Sequence, residues 1–292
     1  IIFFNISIFL STFYFILNYE PIILCLFLIL IIGISHGSLD NIKGKVLLKL
    51  YGYKSISVFY VTYVFISLLI IVSWLAVPNI TLFLFLVVAS YHFGKEDTVF
   101  SFRKKFLVSE LLFFLKGSSI IIAPLLFQRE ATNDIFRILN FYIFELSFFS
   151  NQFLIILLFL GFISSVYISF KKEFNFKLIL ILDFLSIIIL NFFLTPILAF
   201  TTYFCFLHSI RHSFGLIYEL DKSFKLGFKK FISKAIPLTL ITGITFLIAI
   251  YFLNNFYGLN EAIYKVIFIG LASLTFPHIL LEYLLEKNEK KS

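Results

Sequence analysis

The sequence is a succession of apolar runs of roughly 17 or more residues, split by short polar stretches rich in lysine, and this pattern restricts the fold more than any motif does. Runs of that length match the hydrocarbon thickness of a bilayer when helical, and a helix in lipid satisfies its own backbone. With 61% hydrophobic residues and a mean hydropathy of +1.03, the chain reads as a polytopic membrane protein. The expected fold is all-α, a single transmembrane helical bundle over residues 1–292 with about eight to ten spans. Candidate helices lie near residues 1–17, 21–38, 57–77, 79–94, 107–127, 151–170, 178–194, 197–219, 234–254 and 262–285. The first run lacks a basic segment and a small-residue cleavage site, so it is expected to be a first or partial span, not a signal peptide. The absence of Met, at position 1 and elsewhere, suggests that the native start is missing or altered.

Basic residues orient such a bundle, because Lys and Arg in short loops stay on the cytoplasmic side. The loops after the second, fourth, sixth, eighth and tenth segments hold nearly all of them, from Lys43, Lys45 and Lys49 to Lys287, Lys290 and Lys291. The opposite side carries Arg129, Arg137 and Lys265. The net charge of +8 therefore reads as a topology signal in a multi-pass cell-membrane protein. Dispersed over short loops and without a recognition motif, it does not support nucleic-acid binding. Cys25 and Cys205 lie in apolar segments without partner spacing, which excludes a disulfide framework or zinc motif and leaves them as small packing residues.

All five histidines, His36, His92, His208, His212 and His278, lie within or at the ends of these apolar runs. Polar, metal-capable side chains at membrane depth mark function. They fall on four segments that run in one direction, each in the cytoplasmic half, so they are expected to converge on one metal site. On an α-helix, residues four apart share a face, so His208 and His212 can chelate one ion. The alternative for that pair is two polar bridges to neighbouring helices. His36 opens His36-Gly37-Ser38-Leu39-Asp40, where Asp40 can orient an imidazole or cap the turn. His92 sits in Tyr91-His92-Phe93-Gly94-Lys95-Glu96-Asp97, again beside a glycine at a helix end.

The missing residue types restrict the chemistry. His208-Ser209-Ile210-Arg211-His212 lacks the general-base Glu of a zinc protease. Histidine-box di-iron enzymes need more imidazoles than five; a b-type haem needs ligands on facing helices, which the same-face pair cannot supply but His36 or His92 opposite His208 or His212 could, so it stays open as an alternative. Four neutral imidazoles suit a borderline ion, Fe(II), Cu or Zn, and on octahedral iron leave two positions for dioxygen or substrate. Of the other intramembrane polar residues, Asp183 can pair with Arg211 or a histidine ring, and Glu282, four residues after His278, either orients it or is solvated. Lys116 reads as a snorkelling side chain or the mark of a misplaced span, with a buried partner as the alternative.

These residues fall in four ordered blocks. They are Gly33-Ile34-Ser35-His36-Gly37-Ser38-Leu39-Asp40, Tyr91-His92-Phe93-Gly94, the run from Ala199 through Tyr203 to His212, and Leu271-Ala272-Ser273-Leu274-Thr275-Phe276-Pro277-His278. In them, from about residue 30 to 285, the chain resembles the Brp/Blh family of bacterial and archaeal β-carotene 15,15'-dioxygenases. It departs in Ser35, where the family often has Pro, and in Asn41, where some members have His. The resemblance implies central cleavage of β-carotene by O2 to two molecules of all-trans retinal, at non-haem Fe(II) held by His36, His92, His208 and His212. His278 is then left to support a ligand or face the substrate, with Asp40, Asp183, Tyr91 and Tyr203 as further site residues. The substrate is expected to arrive through the lipid bilayer, and a retinal-binding rhodopsin is a candidate recipient of the product. The competing expectation is a non-catalytic retinal- or carotenoid-binding, or proton-relay, membrane protein of the same fold.

Overall fold

The computed structural model describes residues 1–17, 21–99, 110–145, 149–170 and 174–289, with the side chains of residues 15–17, 36, 99, 174–177 and 289 outside that set. Every regular element among the described residues is helical. In chain order they are α1 (Ile2–Leu17), α2 (Ile22–Leu50), α3 (Ser57–Ala76), α4 (Pro78–Val99), α5 (Glu110–Phe127) and α6 (Arg129–Ile138). After these come α7 (Asn151–Phe170), α8 (Phe174–Phe193), α9 (196–220), α10 (Phe224–Tyr257) and α11 (Leu259–Glu289).

Six helices among the described residues, α2, α3, α5, α7, α10 and α11, are long and apolar enough to cross a membrane, and α1 and α8 include shorter apolar stretches. The expected spans 79–94 and 197–219 correspond to α4 and α9, which carry the charged groups and imidazoles that dilute their hydropathy. Helix continues well beyond several expected ends. Lys43, Lys45 and Lys49 ride on the last turns of α2, and Lys225, Lys229, Lys230 and Lys234 on the first turns of α10, where sequence reading placed loops. Long lysine stems can reach outward from a helix end, so a change in hydropathy does not terminate the helix. Residues 107–109, at the start of the expected fifth span, lie outside the described residues.

Between helices in lipid there is no hydrophobic driving force, so small residues that let backbones approach decide the packing. Such a seam joins α4, α5 and α7. A Cβ on Gly94 would lie 1.8 Å from the Phe113 carbonyl oxygen, and one on Gly117 would lie 1.8 Å from that of Ser90. Beyond them, a Cβ on Gly161 would meet Ser119 Oγ at 2.2 Å. The α4–α5 crossing holds the stretch of α4 that carries His92, Glu96 and Asp97. Gly117→Val is therefore expected to cost about 1–3 kcal/mol or more by forcing the two backbones apart. Thermal unfolding in detergent checks this, and an unchanged midpoint would remove the seam from the argument.

Two helices are irregular where they meet. In α2 a π segment, Ile29–Gly33, runs into a 3-10 segment, Ile34–Leu39, before α-geometry resumes at Asp40. In α9, Pro196–Thr202 is followed by a π segment, Tyr203–Ser209, and then Ile210–Leu220. The two π segments pack together, with Ser209 Oγ donating to the Gly33 carbonyl at 3.3 Å. A Cβ on Gly33 would meet Phe204 at 2.6 Å, so glycine is what admits that ring. Single π turns inside α-helices are frequent at functional sites because they re-aim side chains that regular geometry would place elsewhere.

A candidate metal centre held by cross-helix carboxylates

Four imidazoles converge inside the bundle. His92 on α4, His208 in the π segment of α9 and His278 on α11 are each at most 5% exposed. The His92 ring centroid lies 5.3 Å from that of His208 and 5.4 Å from that of His278, and the His278 and His212 centroids lie 5.9 Å apart. His36 belongs to the 3-10 segment of α2, but its side chain is outside the described residues. Its backbone stands between Gly33, packed on Phe204, and Asp40, which bonds His278.

Each of three rings has its Nδ1 on a carboxylate from another helix. His278 Nδ1 lies 2.9 Å from both oxygens of Asp40, His208 Nδ1 is 3.0 Å from Asp97 Oδ1, and His212 Nδ1 is 3.3 Å from Glu96 Oε2. In this arrangement the imidazole donates through Nδ1, which fixes its orientation and tautomer and directs the Nε2 lone pair away from the carboxylate. The Nε2 atoms of His208, His212 and His278 are all buried. This donor set fits a divalent transition ion, because carboxylate-held neutral imidazoles are what such ions bind. Ligand atoms of His212, His278 and Glu282 also lie within 4.8 Å of one another, although Glu282 is paired with Lys43 at 2.5 Å.

A second layer supports the first. Tyr203 donates to Asp97 Oδ2 at 2.5 Å, and Tyr63 Oη lies 3.0 Å from Asp40 Oδ2 and 3.1 Å from the Leu274 carbonyl. Arg211 donates to both oxygens of Asp183, at 2.8 and 3.0 Å, and to the Asp97 carbonyl at 3.0 Å. Phe93 meets the His208 ring edge to face at 4.8 Å, and Phe204 stacks on it at 5.8 Å. Lys116 is 8% exposed and borders a small void together with Asp97, Asp183 and Tyr203, which overturns the snorkelling expectation.

The structure brings together His92, His208, His212, His278, Asp40, Asp183 and Tyr203. Tyr91 differs: its hydroxyl donates to Glu110 on α5. Glu96, Asp97 and Tyr63 were missed by sequence reading. Glu96 and Asp97 follow His92 by four and five residues, and an acidic pair one turn beyond an intramembrane histidine is the signal that was present.

The chain is 26% identical over 256 residues to a β-carotene 15,15'-dioxygenase of uncultured marine bacterium 66A03, an alignment covering 87% of this chain and 90% of the relative. No solved structure matches. The family described as beta-carotene 15,15'-dioxygenase matches residues 27–286, a stretch that includes all five histidines and the carboxylates that orient three of them, and the chain belongs to that family.

Proposed function

We propose that the protein cleaves the central double bond of β-carotene with O2, giving two molecules of retinal, at Fe(II) held by histidine Nε2 atoms. The observation that carries this reading is the set of three imidazoles, each turned by a carboxylate from another helix, of which His278 with its Asp40 lines one end of an apolar cavity within the bundle. The ligands are His92, His208, His212 and His278, with His36 contributing from the adjoining turn as the family resemblance implies. This departs from the reading of His278 as a supporting residue, because His278 has the same Nδ1–carboxylate geometry as His208 and His212. Five imidazoles would still leave the ion open to O2, because the cavity walls, not the metal, would hold the polyene.

Fe(II) supplies the one-electron chemistry by which triplet O2 reacts with a closed-shell alkene. The chain does the rest. Asp40, Asp97 and Glu96 hold His278, His208 and His212 in one tautomer, and Tyr63 and Tyr203 hold two of those carboxylates. Phe93 and Phe204 close His208 off from water. In the balance, one C=C bond breaks, two aldehyde C=O bonds form, and each product takes one oxygen atom.

Expression in a bacterium that accumulates β-carotene, with His208→Ala alongside, tests the reading. Loss of β-carotene with retinal formed by the parent alone supports it. Unchanged β-carotene with inserted, iron-loaded protein would leave a non-catalytic carotenoid-binding member of the family.

A further inference from the structure

A cavity of about 720 Å³ begins at His278, on one edge of the histidine cluster, and runs away from it. Asp40, Gly37 and His278 line one end, and Trp74, Asn140, Tyr257 and Lys265 line the other. Thirteen residues of α11 separate His278 from Lys265, a rise of ~20 Å. A C40 carotenoid is about as long as the hydrocarbon core of a bilayer is thick, ~30 Å. The cavity is therefore long enough for one half of such a molecule and too short for the whole.

Its far end is closed by polar groups. Lys265 Nζ donates to the Ile138 carbonyl and sits 4.5 Å from the Tyr257 ring centroid, and Asn140, at φ 57°, holds the turn after α6. A hydrocarbon ring has nothing to gain by passing a lysine head, so the apolar part ends there. The long wall is open. Helices α3 and α10 both pack on α11 but barely touch each other. Flanking the gap, Val64, Leu68 and Ile241 are 56%, 54% and 61% exposed. In a bilayer these residues face acyl chains, so the slot connects sideways to lipid.

We infer that this slot is a length gauge for half of the polyene: it admits the chain sideways between α3 and α10 and seats its ring against the Lys265 end, which sets the double bond that reaches the histidines. The inference rests on the proposed reaction and adds the rule by which the bond is chosen. Midway along, the Phe246 ring lies on Gly270, where a Cβ would come within 2.3 Å of it. Ala249 and Leu253, one and two turns further along α10, line the part of the slot towards its far end. They are the specificity-determining positions: bulk at Ala249 shortens the slot, and truncation at Leu253 deepens it.

Trp74 makes this measurable without turnover. It is the single tryptophan of the chain and lines the slot, and its emission overlaps polyene absorption, so a seated polyene quenches it. Metal-free protein in nanodiscs is titrated with ring-ended polyene aldehydes of fifteen, twenty and twenty-five carbons. The expected result is saturable one-to-one quenching, tightest for the C20 aldehyde retinal and at least about tenfold weaker for the C25 aldehyde. Ala249→Phe moves the optimum to C15, and Leu253→Ala admits C25. Opposite shifts from two neighbouring substitutions cannot come from misfolding.

Length-independent quenching, no saturation, or equal displacement by oleate would overturn the gauge. Retinal formation by the iron-loaded enzyme without length-dependent quenching sinks the gauge alone. Length-dependent quenching with no cleavage sinks the proposed reaction alone.

Discussion

His278→Ala protein is expected to insert into the membrane, hold no iron and make no retinal, as are His208→Ala and His212→Ala. The reason is geometric. A histidine that merely supported a ligand or faced substrate would not need both oxygens of a buried Asp40 on its Nδ1, nor a ring 5.4 Å from His92 and 5.9 Å from His212. Losing a carboxylate that orients a ligand typically costs 10–100-fold in metal affinity or activity, so loss of a ligand should exceed about 100-fold. Metal analysis of purified protein separates the cases. A His278→Ala variant that keeps stoichiometric iron and loses only turnover would return His278 to the substrate side and leave His36 and the other three as the ligand set.

Arg211→Met is expected to be the most destabilising single change outside the histidines. Arg211 and Asp183 are 15% and 8% exposed and joined by two hydrogen bonds. Removing one member leaves a buried carboxylate uncompensated, which costs about 3–5 kcal/mol, whereas replacing both by apolar residues is often close to neutral. The double variant Arg211→Met/Asp183→Leu should thus recover most of the stability lost in the single one. Its iron affinity should stay low, because Arg211 also binds the Asp97 carbonyl and so steadies the residue on which His208 rests. Unfolding in detergent and metal titration on all three proteins read the two effects separately. Equal stability of single and double variants would show that the pair is not what holds α8 to α9.

The sequence made the helices and the histidines legible for one physical reason: hydropathy records which residues can sit in lipid, and histidine at that depth is an exception that needs a cause. It concealed the pairing. Four histidines are followed four residues later by a partner that regular helix geometry puts on the same face, as in His36/Asp40, His92/Glu96, His208/His212 and His278/Glu282. In the structure Asp40 serves His278 and Glu96 serves His212, across helices, and no spacing within one helix encodes that. The shared face expected of His208 and His212 assumes uninterrupted α-geometry, but a π segment ends at Ser209, between them. His208 thereby meets Asp97 and Phe93, while His212 meets Glu96 and His278. Tyr91 and Tyr203 looked alike as aromatic neighbours of a histidine, and only helix rotation separates the one on Glu110 from the one on Asp97.

The gap between α3 and α10 also changes what concentration means for this protein. A site that opens to the bilayer core samples the mole fraction of substrate among lipids, not the molarity of the suspension. Adding carotenoid-free membrane at constant total carotenoid would then slow the reaction by surface dilution, with no change in any contact at the site. In the proposed reaction, product released along the same route would return to the bilayer, and the aldehyde would leave the site without first entering water.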